Sequence, residues 1–340
     1  MGLIQQAEKT YAKHFPPITG FERAIFFSWY CSIRDCTFCF MSAQPKDVEP
    51  KKMRRSTESL LAEALLCRLL GWEFGFLSGG INAFSSGDMK RLLPLIVASY
   101  GDKIWLNIGP LSSQVLEAYQ PYLKGVVGAI ETVNPLVHKK ICPSKPIEPY
   151  LRMFDVAHTM NLQNAITFIV GVGETKEDLP LLLEMIEKYH ISKIHIYSLV
   201  PEKGTIFTEK DIPSPEYQAW WIAQVRIHFP TINIQCGIWK DRIRSLPLLL
   251  RAGANSFSKF PATRFFGTKY AYDIEEHVRK AGRIFQGTLT QLPDIDCTKE
   301  VRMLPGDGLL QEKVREKIIQ YIRKMEKNLH MNSKLLQKIH

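Results

Sequence analysis

The chain has 340 residues, 45% of them hydrophobic and 23% charged, with a net charge of +10. That composition is ordinary for a globular protein, and no apolar run approaches the roughly 18 residues that a membrane span needs; the length suits one large α/β barrel or two smaller domains. Seven cysteines, an odd number with three of them clustered, argue against a disulfide framework and for a reducing cytoplasm with metal ligation.

Residues 1–22 read as a helical lead-in without the apolar core of a signal peptide. Residues 23–28 form a predicted strand that runs into Cys31, Cys36 and Cys39, spaced C-x4-C-x2-C. Residues 56–70 have helical periodicity, opened by Ser56 or Thr57 as N-cap. Further strands are expected at 74–77, 103–108, 125–130, 165–170, 193–198 and 232–235, and one more at 254–257. Between them, helices are expected at 87–99, 113–119, 149–160, 176–189 and 214–229. Strands alternating with helices mean βα units and a parallel sheet. Seven or eight such units predict an α/β fold of the (β/α)8 TIM type, complete or partial, over 23–262, with a closing segment at 263–304 and a basic C-terminal helix at 305–340. An open doubly wound sheet is disfavoured, because no G-x-G-x-x-G follows the first strand. Residues 309–340 carry eight Lys or Arg against three Glu, half of the chain's positive surplus.

Three closely spaced thiolates suit a metal better than they suit a core. A structural zinc takes four closed ligands and an ordinary 4Fe–4S cluster takes four cysteines, so three would leave one iron of a cubane open. A zinc knuckle with a distant fourth ligand is the alternative reading.

The cysteine run resembles that of the radical S-adenosylmethionine (SAM) enzymes, whose usual motif is C-x3-C-x-aromatic-C. Phe38 stands in the aromatic place, and one extra residue separates the first two cysteines. Ser78-Gly79-Gly80, ending the second strand, is similar to the Gly-Gly-Glu whose backbone takes the SAM amino group, with Ile81 in the Glu place. Glu131 ends the fourth strand, where a carboxylate could accept from ribose hydroxyls, and Glu131-Thr132-Val133-Asn134-Pro135 resembles a segment found after the fourth strand in the biotin synthase-like group. Ile169, Gly171 and Glu174 match G-x-I-x-G-x-x-E, a strand that lies against adenine, with Thr167 in the first Gly place. Residues 253–261 resemble the end of the barrel in the same group.

The resemblance implies that Cys31, Cys36 and Cys39 hold a 4Fe–4S cluster, and that SAM bound to it is cleaved to a 5′-deoxyadenosyl radical that takes hydrogen from a substrate. Trp29, Tyr30, Phe38 and Phe40 could give the cluster an apolar shell. The group includes methylornithine synthase, hydrogenase-cofactor maturases and archaeal-type lipoyl synthases, so cofactor or small-molecule biosynthesis is expected. The expected partners are a small-molecule or carrier-protein-bound substrate and an acidic electron donor such as flavodoxin or ferredoxin, which the basic charge suits. Neither membrane nor nucleic acid is expected, since no RNA-binding module is recognisable.

Lys240, Arg242, Tyr197 and His138 are candidate substrate contacts. Cys142, Cys236 and Cys297 could gather as ligands of a second iron–sulfur cluster, as a lipoyl-type sulfur insertion would need. Biotin synthase itself is disfavoured, because Ser78, Asn107, Gly109 and Gly171 stand in the regions where it places its sulfur-donor cluster ligands. A non-catalytic cluster or zinc protein is the remaining alternative.

Overall fold

The computed structural model describes residues 2–45 and 47–337, with side chains to residue 332. Its elements are α1 (Leu3–His14), β1 (Ile18–Phe26), α2 (Thr57–Leu69), β2 (Glu73–Ser78), α3 (Ser86–Tyr100), β3 (Ile104–Asn107), α4 (Ser113–Tyr119) and β4 (Leu123–Glu131). They continue as α5 (Pro135–Ile141), α6 (Glu148–Thr159), β5 (Gln163–Val170), α7 (Leu179–Lys188), β6 (Ile191–Ser198), α8 (Pro215–His228) and β7 (Asn233–Gly237). The remainder is α9 (Leu246–Arg251), β8 (Ser256–Ser258), α10 (Ala262–Phe265), α11 (Lys269–Lys280), β9 (Ile284–Gln286), α12 (Cys297–Arg302) and α13 (Gly308–Gln337).

Strands β1 to β8 pair in sequence order, all parallel, and β1 pairs with both β2 and β8, which closes the barrel. This is the TIM-type (β/α)8 fold. The expected strands and helices all occur, shifted by a few residues at their ends. Two differences matter. The first strand begins at Ile18, inside the stretch read as a lead-in, because its opening residues carry Gly20 and Glu22, which look wrong for a strand. The unexpected β9 pairs with Ile18–Gly20 and extends the sheet beyond the barrel.

Glu22 explains why that strand tolerates a charge. Its side chain points into the barrel and takes both oxygens to Lys193 Nζ of β6, each at 2.7 Å. Gln235 of β7 and Ser256 of β8 donate to the same carboxylate. Burial opposes the charge on Glu22, but Lys193 and the surrounding donors outweigh it and hold the pKa below the usual carboxylate value. Beside it His195 lies wholly buried, and burial drives its pKa down to about 3, so it is neutral.

Outside the barrel the helices bury apolar faces in the usual way. α2 is buried on nearly every side, because the barrel lies on one face and α13 on the other. Val314, Ile318 and Met325 recur on one stripe of α13 and are fully buried. Tyr321 Oη lies 3.3 Å from Ser59 Oγ of α2, and Asn328 donates to the Arg264 and Phe266 carbonyls. The basic C-terminal helix is therefore docked on the barrel wall. Residues 338–340 of that expected helix, including Lys338, lie outside the described residues. Among the described residues no helix is long and apolar enough to cross a membrane.

Lys193→Met should cost about 3–5 kcal/mol, because it strands a buried carboxylate. The sign with pH distinguishes this from lost packing. In the native chain the depressed Glu22 pKa contributes stability above its unfolded value, and that contribution disappears as pH falls through the folded one. In the variant burial acts on Glu22 with only the Gln235 and Ser256 donors and no cation against it, so protonation relieves the penalty. Urea denaturation at neutral and mildly acidic pH should show the variant's deficit shrinking on acidification. A deficit independent of pH would show that packing alone is lost.

Candidate functional site at the barrel mouth

The loop after β1 crosses the mouth of the barrel at the C-terminal ends of the strands. Backbone bonds stitch it down on two sides. Ser32 donates to the Ile81 carbonyl beyond β2 at 2.9 Å, and Thr37 donates to the Ile141 carbonyl at the end of α5 at 2.8 Å. The Cys39 amide bonds the Cys36 carbonyl at 3.1 Å, which makes the tight turn that the C-x2-C spacing needs.

Cys31, Cys36 and Cys39 all line one cavity of about 230 Å³. They are free thiols and half-buried. Burial pushes the Cys39 thiol up to about 12, so a thiolate there needs a cation beside it. Cys36 goes the other way: contact with the Cys142 thiol lowers it, against burial and with help from Lys145. Among the described residues no three His, Cys, Asp or Glu side chains meet as a closed metal site. The three cysteines instead line one shared cavity. A set of three thiols facing one buried space is the donor chemistry that a cubane with one open iron requires.

Gly79 and Gly80 line the same cavity, and the reason for glycine is proximity rather than backbone conformation. Neither has a positive φ. A Cβ on Gly79 would lie 2.5 Å from the Phe27 ring, and one on Gly80 would overlap the Tyr30 carbonyl and Cys31 itself. Ser78 and Phe38 complete this side.

Across the cavity, β4 ends at Glu131, whose φ is +66°. Its carboxylate takes Lys145 Nζ at 2.9 Å and Thr167 Oγ1 at 3.0 Å. Lys145 also donates to the Ala129 carbonyl at 2.7 Å. Burial works against the Lys145 charge, but Glu131 beside it holds the pKa well above the usual value. Thr167, in the place where the motif has its first glycine, thus steadies the Glu131 carboxylate. Ile169 of β5 also lines the cavity.

Other expected site residues fall elsewhere. Gly171 and Glu174 do not line this cavity. Glu174 folds back onto its own loop and accepts from the amides of Gly171, Val172 and Gly173 at 2.6, 3.0 and 3.2 Å. Burial still raises its pKa against those donors. At Gly171 φ is +99° and a Cβ would run into Pro213. Both residues shape the turn after β5 that aims Ile169.

His138 is buried in α5 off the cavity, and burial lowers its pKa. Lys240 lies outside, with its ammonium over the Phe265 and Tyr270 rings at 5.6 and 5.3 Å. Arg242 bonds the Leu199 carbonyl at 3.0 Å and packs on Trp239, in a separate cleft beside Ser198. Of the four expected substrate contacts, only Tyr197 reaches the cavity.

The expected second cluster does not assemble. Cys142 caps α5 beside Cys36. Cys236 is fully buried in β7 with its thiol toward the Ser256 carbonyl. Cys297 opens α12, outside the barrel and near Arg315 of α13. Residues drawn from a loop cap, a barrel strand and an outer helix share no site.

A second cavity of about 300 Å³ adjoins the first and shares Phe26, Phe38, Cys39, Phe40, Ile169, Tyr197 and Lys259 with it. Leu199, Val200, Glu202 and Trp239 close its far side. Lys145 and Lys259 are site residues that motif matching did not single out. The signal for Lys259 is its position, directly after the last barrel strand.

Residues 27–186 match the model of the radical SAM superfamily. An uncharacterised protein of Methanocaldococcus jannaschii is 34% identical over 99% of this chain and 96% of its own length. The biotin synthase of Pelodictyon phaeoclathratiforme is 24% identical over 74% of this chain and 76% of its own, and the [FeFe] hydrogenase maturase subunit HydE of Thermotoga maritima is 21% identical over 74% and 73%. Among solved structures, methylornithine synthase superposes with a TM-score of 0.68 at 18% identity, over 92% of this chain and 90% of that one. This last likeness is one of fold.

Gly80→Ala tests the close approach of β2 to the cysteine loop. The added methyl has no room against Tyr30 and Cys31, so the loop should lift from the rim. Cys31 in metal-free protein should then be alkylated by iodoacetamide several-fold faster, with an unchanged far-ultraviolet circular dichroism spectrum. Equal rates would mean that the loop absorbs the methyl in place.

Proposed function

Because the chain belongs to the radical SAM superfamily, a family that implies enzyme activity, a 4Fe–4S cluster and SAM, we propose the following assignment of its residues. Cys31, Cys36 and Cys39 ligate the cluster, and SAM occupies the cavity they line. When bound, the cluster supplies the electron that cleaves SAM to methionine and a 5′-deoxyadenosyl radical, which takes hydrogen from the substrate. The observation that carries this reading is the convergence of three cysteines, Gly79–Gly80, Glu131 and Ile169 on one cavity at the C-terminal ends of the strands.

Each chain group then has a task. The Gly79–Gly80 backbone, bare of side chains, can approach the amino-acid end of SAM. Glu131, pre-aimed by Lys145 and Thr167, accepts from the ribose hydroxyls. Ile169 and Phe38 offer apolar faces to adenine. Phe26, Phe38 and Phe40 keep water from the reacting atoms.

The substrate lies in the adjoining chamber, which fits a small molecule or the end of a carrier-bound group in cofactor or small-molecule biosynthesis. Electrons come from an acidic flavodoxin- or ferredoxin-type donor, matched to the net charge of +10. Cytoplasmic location fits a cluster that needs reducing conditions. Sulfur insertion through a second cluster is not favoured, since its cysteines lie apart.

Protein purified and reconstituted without oxygen should hold about four irons and four sulfides per chain. With SAM and dithionite it should release 5′-deoxyadenosine, and Cys36→Ala should lose both iron and nucleoside. Zinc in place of iron, or a cluster that leaves SAM intact, would overturn the assignment.

A further inference from the structure

We propose that the adjoining chamber binds a substrate whose apolar or aromatic body carries an anionic oxygen group, carboxylate or phosphate, and that the Lys259 ammonium is its anchor. The reaction of that substrate rests on the radical SAM reading above, but the binding does not.

The chamber wall is apolar and aromatic, formed by Phe26, Phe40, Tyr197, Leu199, Val200 and Trp239. Among the described residues only two charged side chains face it: Lys259, and Glu202 on the loop after β6. Lys259 follows β8 directly, in the left-handed region with φ of +70°. A lysine gains nothing there from the backbone, so the conformation has to be held by its surroundings. Those surroundings aim the ammonium across the mouth, 4.4 Å from the Tyr197 ring and 5.9 Å from that of Phe26.

What the ammonium lacks is a directly bonded counter-ion. The barrel's other inward lysines each have one: Lys145 bonds Glu131, and Lys193 bonds Glu22. Among the described residues Lys259 makes no hydrogen bond and no ion pair; two ring faces meet it, and the Glu131 carboxylate and the Cys39 sulfur act on it only through space. Glu131 already has Lys145 and Thr167, and Glu202 makes no ion pair with Lys259. A half-buried cation on an aromatic floor gains most from an anion that covers it, because charge-assisted bonds strengthen as water is excluded. Burial opposes the Lys259 charge, and the nearby Glu131 and Cys39 favour it. The aromatic walls supply the rest of the affinity and orient the ligand body toward the cysteine loop.

The test uses the full chain and a series of isosteric probes: 3-phenylpropionate, 3-phenylpropyl phosphate and 3-phenylpropanamide. Binding is measured by ligand-observed saturation-transfer NMR, with and without SAM. At least one anion should bind about tenfold more tightly than the amide, and whichever anion is the tighter distinguishes carboxylate from phosphate. Lys259→Met should abolish that preference while leaving amide binding measurable, which also shows that the variant is folded. Lys259→Arg should restore it.

Equal binding of acid and amide to the native chain, or a preference that survives Lys259→Met, would overturn the proposal. So would loss of the preference on adding SAM, which would assign Lys259 to the SAM carboxylate. These equilibria are independent of turnover. Nucleoside release without anion preference removes only this inference; anion preference without nucleoside release removes only the radical reading.

Discussion

The closed barrel depends on a charge inside it. Glu22 of β1 is held by Lys193 of β6, Gln235 of β7 and Ser256 of β8, so one carboxylate joins the first strand to the strands that complete the circle. An ion pair buried this deeply adds little net stability over an apolar plug, since desolvation offsets most of the attraction. Its value is directional. Hydrogen bonds set register and strand identity in a way that dispersion contacts do not, and the same network continues upward. Gln235 accepts from Tyr197 at 2.7 Å, and the Tyr197 ring is part of the floor on which the mouth cavities rest.

From that floor the mouth is assembled by short-range fit. The cysteine loop has little regular structure and is positioned by backbone bonds to Ile81 and Ile141 and by its contact with Gly80. These partners belong to two βα units, those of β2 and β4, so the loop is fixed only when both have packed beside β1. The electrostatics follow the same division. Glu131 and Lys145 are mutually satisfied and therefore fixed, whereas Lys259 is charged and unpaired. A satisfied pair shapes a site; an unsatisfied cation selects what enters it.

Several residues with the right spacing do other work. Glu174 satisfies the amides of its own turn, and Gly171 gives way to Pro213, so the fifth-strand motif acts through Ile169. Lys240 and Arg242 follow β7 at the mouth end yet turn outward, onto Phe265 and Tyr270 in one case and toward the Leu199 carbonyl in the other. The backbone places a residue at the barrel's end, but which way a long side chain points depends on the rings and carbonyls within its reach. The same reasoning separates Cys142, Cys236 and Cys297, which are all cysteines near or beyond strand ends but have unrelated neighbours.

The sequence by itself determined the fold class, the strand and helix order and the cysteine loop, because these are written in local patterns: a period of two or 3.6, turn residues, and ligand spacing within one short loop. That Cys31, Cys36, Cys39, Gly79, Gly80 and Glu131 stand at the ends of barrel strands was legible for that reason. The start of β1 was not, because Glu22 contradicts strand propensity until Lys193, 171 positions away, is beside it. Lys145 and Lys259 were not legible as a pair of opposites either: one lysine is neutralised by Glu131 and the other faces aromatic rings. Whether a buried charge has a partner depends on what the closed barrel brings within about 4 Å of it, and only the tertiary structure decides that.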